Sequence, residues 1–464
     1  MKQGFKYFTG IIVLIIMVLV SCKIVHPYEQ PTAATAGLYR DQATTDTTTL
    51  ASLPYTEMFS DTILQGLIRE GIAQNLDLKV AYTRIQQSQA YYEQNRAAFQ
   101  PTLNANAAVT RLRLSEAQGF GRTNTTQYQL GVSSSWEADI WGRLKSSRKA
   151  GLATLLQTEA AVRAIQTNIV SDIANNYYTL LALDQQLAIT EQTVSNWDTT
   201  VTTMRALKEA AIVTEAAVEQ SNAQRYAVEV TIPDLKQSIR ETENALSVLI
   251  GRPPAAIKRS QLYGQQTIAL LQTGIPAQLL ANRPDVQQAE YAYRNAFELT
   301  NVARAAFYPT LSITGSAGIT SLTLANFIVF DPGALVASLG AGLTQPIFNR
   351  RLNRTNLIVA QAQQQASLFN FRNTMLIAGQ EVSDALSLHS TALEKMTVRT
   401  NQLTALQRSV EYTQELLKNG FANYTEVITA RQSLLAAELG RVDDQLQQLQ
   451  ATVNLYRSLG GGWK

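Results

Sequence analysis

Apolar and polar positions alternate in four short stretches of this chain and recur at helical spacing through most of the rest. After Pro101, one side carries Leu103, Ala105, Ala107 and Val109, and the other carries Asn104, Asn106 and Thr110. In the second stretch Tyr128, Leu130, Val132, Trp136, Ala138 and Ile140 alternate with Gln127, Gln129, Ser133, Ser135, Glu137 and Asp139. The third sets Leu311, Ile313, Ala317 and Ile319 against Ser312, Thr314, Ser316 and Thr320. The fourth sets Leu335, Ala337, Leu339, Ala341 and Leu343 against Ser338 and Thr344. A period of two held over ten or so residues predicts strands with one dry and one wet face, at about 101–112, 126–141, 309–322 and 334–346.

Each pair of strands is followed by helical pattern of unusual length. No Gly or Pro occurs from Leu152 to Ile232, and no Pro after Pro346. A helix over 142–208 would reach on the order of 100 Å at about 1.5 Å per residue; its counterpart is 349–419. Returning helices are expected at 214–250 and 424–459. Leu435, Leu439, Val442, Leu446, Leu449, Val453 and Tyr456 are spaced alternately four and three apart, as are Leu235, Ile239, Thr242, Leu246 and Leu249. That seven-residue rhythm predicts left-handed coiled coils. The narrow stripe and its Gln, Asn, Thr and Ser flanks leave much helix surface in water.

The chain is written twice. "NRAAFQPTLN" (95–104) returns as "ARAAFYPTLS" (303–312), inside longer matching stretches at 75–103 and 283–311. Each is a helix running into Pro101 or Pro309. Proline cannot continue the helix and biases its predecessor towards extended geometry, so each is a helix-to-strand junction. The halves are 56–254 and 279–464, with a linker at 255–278. Four strands cannot close a barrel, which takes about eight or more. An open sheet leaves bare edges, so several chains are expected to share one barrel. Trp136, Trp141 and Phe348 sit at the strand ends, where a membrane barrel carries its aromatic girdle.

The amino terminus adds an address. Lys2 and Lys6 precede an apolar run from Ile11 to Val20, then Ser21-Cys22. That predicts a secretory signal over 1–21 rather than a membrane span. "LVSC" resembles the bacterial lipobox, which implies cleavage before Cys22 and acylation there; Lys23 in place of an aspartate favours the outer membrane. Residues 22–55, rich in Thr, Ala and Pro, read as an extended lipid-anchored tether. Two histidines and one cysteine leave no protein-built zinc or iron–sulfur site, and no cofactor is expected beyond the lipid on Cys22. A net charge of +3 without basic–aromatic runs excludes nucleic acid as a partner. No GxxxxGK[ST] or HExxH is present, and Gly119-Phe120-Gly121 is too short for a nucleotide loop, so no enzyme is expected.

These strings together resemble the TolC-like outer-membrane efflux proteins, in particular the OprM/NodT-type lipoproteins. The carriers are "LLANRPDVQQAE" (279–290), "FYPTLS", "WEADIWGRLKSSRKA" (136–150), "QPIFNRRLNRTNLIVAQA" (345–362), "LIGRPP" (249–254) and "NLYRSLGGGWK" at the end. The resemblance covers nearly everything from about Thr56. It implies a mainly α chain with a membrane β-barrel, built as two tandem helix–hairpin–long helix–helix repeats. Three copies would form a twelve-stranded barrel continued by an α-helical periplasmic barrel with an equatorial belt. The implied partners are two further copies, a periplasmic adaptor, an inner-membrane transporter of the resistance-nodulation-division (RND) type, and outer-membrane lipids. The implied activity is passive exit of drugs or other small molecules. A type I-like protein or peptide secretion duct uses the same architecture, and a non-conducting coiled-coil scaffold lipoprotein shares the signal, tether and heptads but has no use for the strands.

Two turns between long helices should form the periplasmic tip. The second, "KNGFANYTEVITARQSL" (418–434), resembles the family's tip motif, with Glu426 at its first acidic position and Thr429 where the second acid often stands. Asn423 followed by Glu426 also reads as a helix capping box. A carboxylate repeated around a symmetry axis would form a cation-favouring ring, and Tyr424 could add a constriction. The first turn, "KEAAIVTEAAVEQ" (208–220), offers Glu215 and Glu219 and has Ala210 where the other copy has Gly420. Arg143, Lys145, Arg148 and Lys149, and Arg350, Arg351 and Arg354, read either as solvated helix starts or as contacts to anionic headgroups.

Overall fold

The computed structural model describes residues 24–32, 37–40, 48–113, 124–265, 273–274, 276–329 and 331–464. The expected signal over 1–21, Cys22 and the Gly119–Gly121 loop lie outside them. The chain divides into two compact units: Met1–Pro31, Ile85–Thr158 and Ala289–Phe371, and Thr32–Arg84, Glu159–Gln288 and Arg372–Lys464.

The longer helices are α1 (Thr62–Gln74), α2 (Leu76–Ala97), α3 (Arg143–Glu209), α4 (Glu215–Glu229), α5 (Thr231–Leu249), α6 (Pro284–Ala305), α7 (Leu352–Lys418) and α8 (Tyr424–Ser458). The strands are β1 (Thr102–Arg113), β2 (Asn124–Ala138), β3 (Thr310–Ser321) and β4 (Leu335–Thr344). Both α3 and α7 are single helices of 67 residues. No helix among the described residues is long and apolar enough to cross a membrane.

In the first unit the strands form one antiparallel sheet in the order β1-β2-β3-β4. Register sorts the side chains. Ala107, Leu130, Ile319 and Leu335 lie in one cross-strand row, and Ala105, Val132, Ala317 and Ala337 in another on the same face. Asn104, Ser133, Ser316 and Ser338 make a row on the opposite face, where the Ser316 and Ser338 hydroxyls share a 2.8 Å hydrogen bond. Directly opposed residues share a face, so the alternation along each strand becomes one dry and one polar surface. Gly131 and Gly318 meet face to face at the centre. A Cβ on Gly318 would lie 2.4 Å from the Leu130 carbonyl oxygen, so the strands approach there only because both positions lack a side chain.

Strand β2 stops at Ala138, short of the expected 141, because Asp139 turns to cap α3. Its carboxylate accepts from the Leu144 and Lys145 amides at 3.0 and 2.8 Å. Asp139 is thus a helix cap rather than a wet-face strand residue. The stretch expected as an extended tether is partly docked. The Tyr28 hydroxyl donates to Glu290 at 2.9 Å, its ring packs edge-on to Phe297, and Asn301 accepts from the His26 amide and donates to its carbonyl.

The second unit holds a helical core. Ile173, Tyr177, Leu180, Leu246, Val442, Leu449 and Leu455 are buried. Where one returning helix was expected over 214–250, the structure has α4 and α5, broken at Val230. Pro233 explains the break, since it offers no amide to the Glu229 carbonyl and its ring crowds that oxygen. Asp61 caps α1 and collects Ser260, Tyr177 and Gln265 around its carboxylate. Burial opposes its charge, but those hydrogen bonds hold it below the usual carboxylate range.

Candidate functional site

The two turns that end α3 and α7 are built alike. In the first, the Ala211 amide donates to Lys208 and the Ile212 amide reaches back to Leu207. In the second, Gly420 donates to Leu417 and Phe421 reaches back to Leu416. Both are Schellman closures, which need a left-handed residue at the turn. That residue is Gly420 at φ +76° in one and Ala211 at φ +59° in the other. The expected equivalence of Ala210 with Gly420 is therefore corrected by one residue: hydrogen bonding aligns the turns, and Ala211 carries the strained angle.

Under the turns, Met204, Val218, Leu417 and Val427 form a small buried cluster, with Leu207, Ala422 and Tyr424 packed on it. Tyr424 belongs to this packing. The first turn of α8 is capped by Asn423, whose side-chain oxygen accepts from the Thr425 amide at 2.9 Å. Glu426 is exposed one residue further on, and no hydrogen bond or ion pair engages its carboxylate among the described residues. The cap works without a return bond from Glu426, so the box is half built. Thr429, also exposed, spends its hydroxyl on the Thr425 carbonyl.

The acids of the first turn stand differently. Glu215 is ion-paired with Lys208 across the turn, and this pairing holds the lysine above its ordinary value. Glu219 is exposed beside Asn222, whose amide lies 3.5 Å away. By turn alignment the counterpart of Glu426 is Ala217, which is fully buried. Of the candidate tip residues, Glu426 alone presents an exposed carboxylate without any partner among the described residues.

Around the sheet, the two tryptophans each clamp one helix-to-strand junction. Trp136 Nε1 donates to the Phe99 carbonyl at 2.9 Å, beside Pro101, and Trp141 Nε1 to the Pro309 carbonyl at 2.7 Å. Helices α2 and α6 end at Ala97 and Ala305, and the strands start directly after the prolines. Ile347 and Phe348 stand 97% and 86% exposed, the most open large apolar pair by the sheet. Arg143 grips Glu137 through two hydrogen bonds of 3.0 and 2.6 Å. Arg350 is exposed at φ +54°, with Arg351 also left-handed at +66°.

Sequence reasoning assigned no role to Arg283, the arginine of "NRPDV". It is almost fully buried, donates to Asp285 and the Ser458 carbonyl, and ion-pairs with Glu381, joining the start of the second repeat to the chain's close. Burial works against its charge, and the two carboxylates more than offset that, raising its pKa. The glycines of the close fit the same seam: a Cβ on Gly460 would lie 2.4 Å from the Asn282 carbonyl oxygen, and Trp463 donates to that oxygen at 3.0 Å.

The family described as "Outer membrane efflux protein" matches this chain over residues 67–252 and 275–461. The solvent efflux pump outer membrane protein SrpC of Pseudomonas putida is 28% identical over 458 residues, covering 97% of each chain. The probable outer membrane lipoprotein SilC of Salmonella typhimurium is 26% identical over 457 residues, again 97% of each. Among solved structures, the open state of the Neisseria gonorrhoeae MtrE outer membrane channel superposes with a TM-score of 0.85 at 26% identity, covering 96% of this chain and 99% of that one.

Proposed function

The chain belongs to the outer membrane efflux protein family, and from that membership we propose that three copies close a single conduit through the outer membrane. The protein is an outer-membrane efflux component with the fold of the family's channels. The observation that carries the trimeric reading is the sheet. It has one apolar face and one polar face, and β1 and β4 are its outer strands. Side by side, β4 of one copy meets β1 of the next, and three four-stranded sheets supply enough strands for closure with side chains and water inside. Lipid then faces the rows of Leu130, Ile319 and Leu335, while Asn104, Ser133 and Ser316 line the passage.

The long helices of the same copies carry the passage into the periplasm. There a periplasmic adaptor and an inner-membrane transporter of the RND type hand over the cargo, which is small molecules such as organic solvents or drugs. Acylation of Cys22 anchors each copy, in keeping with the lipoprotein name of the SilC relative. Glu426 contributes one unpaired carboxylate per copy near the tip, a ring that favours cations.

Conductance in planar bilayers tests the reading. Purified protein should form discrete, long-lived channels, and Glu426→Gln should lower cation preference at neutral pH without altering assembly. A monomer that leaves bilayers silent would refute the conduit; unchanged ion selectivity in the variant would remove Glu426 from the constriction.

A further inference from the structure

Near the two turns, α3, α7 and α8 line a partly open cavity of about 250 Å³. Met204, Leu207, Leu417 and Val427 give it an apolar wall. Arg431 and Lys418 bring two positive charges to it, and among the described residues no carboxylate lines it. Lys418 has an acid of its own, Glu415 at 3.3 Å on the exposed side. Arg431 does not. With the Gln414 amide turned so that its oxygen faces the guanidinium, Arg431 donates to that single oxygen from Nε at 3.1 Å and from Nη2, and its guanidinium lies 5.9 Å from the centre of the Trp197 ring.

That arrangement leaves the cation incompletely answered. Burial pushes the Arg431 pKa down, yet a guanidinium remains charged under any physiological condition. A neutral amide oxygen offers one acceptor, whereas the guanidinium fork matches the two oxygens of a carboxylate and bonds them more strongly. Nor is the surrounding wall suited to a bare inorganic ion, because a hydrated anion gains nothing from Met204 or Val427. An engineered apolar cavity of about 150 Å³ accepts benzene, so the space here admits a somewhat larger apolar group.

We propose that this cavity binds a small organic anion, a carboxylate on a short apolar chain, with the carboxylate on Arg431 and the chain against Met204, Leu207, Leu417 and Val427. The ligand would touch α3 from the first repeat and α7 and α8 from the second, and so tie the two tip turns together. This goes beyond conduction, and binding is read without it.

The test is calorimetric titration of octanoate into the full-length protein held in lipid nanodiscs, with empty nanodiscs as the blank. Octanoate should bind saturably, one per chain. 1-Octanol and octylammonium should bind at least about tenfold more weakly, and Arg431→Gln should weaken octanoate by about tenfold or more, as expected for losing a charge-assisted bond. Thr203 lines the cavity from an exposed position, so Thr203→Trp should block binding while leaving every charge and the buried cluster in place. If Arg431→Gln does not assemble, Thr203→Trp and the octanol comparison decide. Equal binding of octanoate and octanol, no saturable heat above the blank, or unchanged binding in Thr203→Trp would overturn the proposal.

Discussion

The two tip turns are the same device made with different residues. Each closes with the same pair of hydrogen bonds and one left-handed residue. The second turn uses Gly420, caps α8 with Asn423 and leaves Glu426 exposed and unpaired. The first uses Ala211, gains no side-chain cap from Thr214, buries Ala217 where Glu426 would stand, and ties its acid Glu215 to Lys208. The two turns share a geometry but not a chemistry: one pairs its first acid with a lysine, and the other keeps a carboxylate with no partner among the described residues.

The sharpest way to break the pair is through its shared core. Leu417 is 6% exposed, whereas its neighbour Leu416 is 44% exposed. Leu417→Ala should cost about 2–5 kcal/mol of local stability, and Leu416→Ala should stay within roughly 0.5 kcal/mol. Hydrogen exchange at the ends of α7 and α8 would measure both, and equal losses would mean that the cluster does not hold the tip.

Next in size is the strained residue. Gly420→Ala should cost about 1 kcal/mol, and Ala211→Gly should gain roughly 0.5–1 kcal/mol, since only the alanine resists a positive φ. Opposite signs at equivalent positions are the expected signature, read by the exchange rates of the Ile212 and Phe421 amides.

The smallest effect concerns the first turn's ion pair. Lys208 has a raised pKa when folded, so its contribution is complete below the lysine's ordinary value and is lost as pH climbs through the raised one. Being fully solvated, the pair should be weak and salt-sensitive. Glu215→Gln should abolish the alkaline dependence of first-turn exchange and leave the second turn unaffected; a response in the second turn would couple the two.

Much of this architecture was legible because it depends on periodicity. Alternation over 102–113 and 310–321 and prolines at 101 and 309 are local signals, and strand and junction follow from them without knowledge of any partner. Elements decided by a single competing contact were not. Asp139 alternates like a strand residue but caps α3, and Pro233 divides the helix expected over 214–250, whose apolar rhythm starts only at Leu235. The indole nitrogens of Trp136 and Trp141, read from the sequence as girdle residues, also hold the Phe99 and Pro309 carbonyls, a role that spacing does not show. Arg143, read either as a solvated helix start or as a headgroup contact, is paired with Glu137.

The amino-acid order alone determined the doubled plan, the four two-faced strands, the long helices and the heptad seams, because each depends on spacing along one segment. Only the tertiary structure decided which charges are free. Glu426, Glu215 and Arg143 are ordinary charged residues in the sequence. Lys208 meets Glu215 across a turn and Glu137 meets Arg143 across the strand-to-helix bend, so whether a counter-charge stands within hydrogen-bonding reach is set by how the chain folds there, and a hydrogen bond is lost over about an ångström that spacing cannot report.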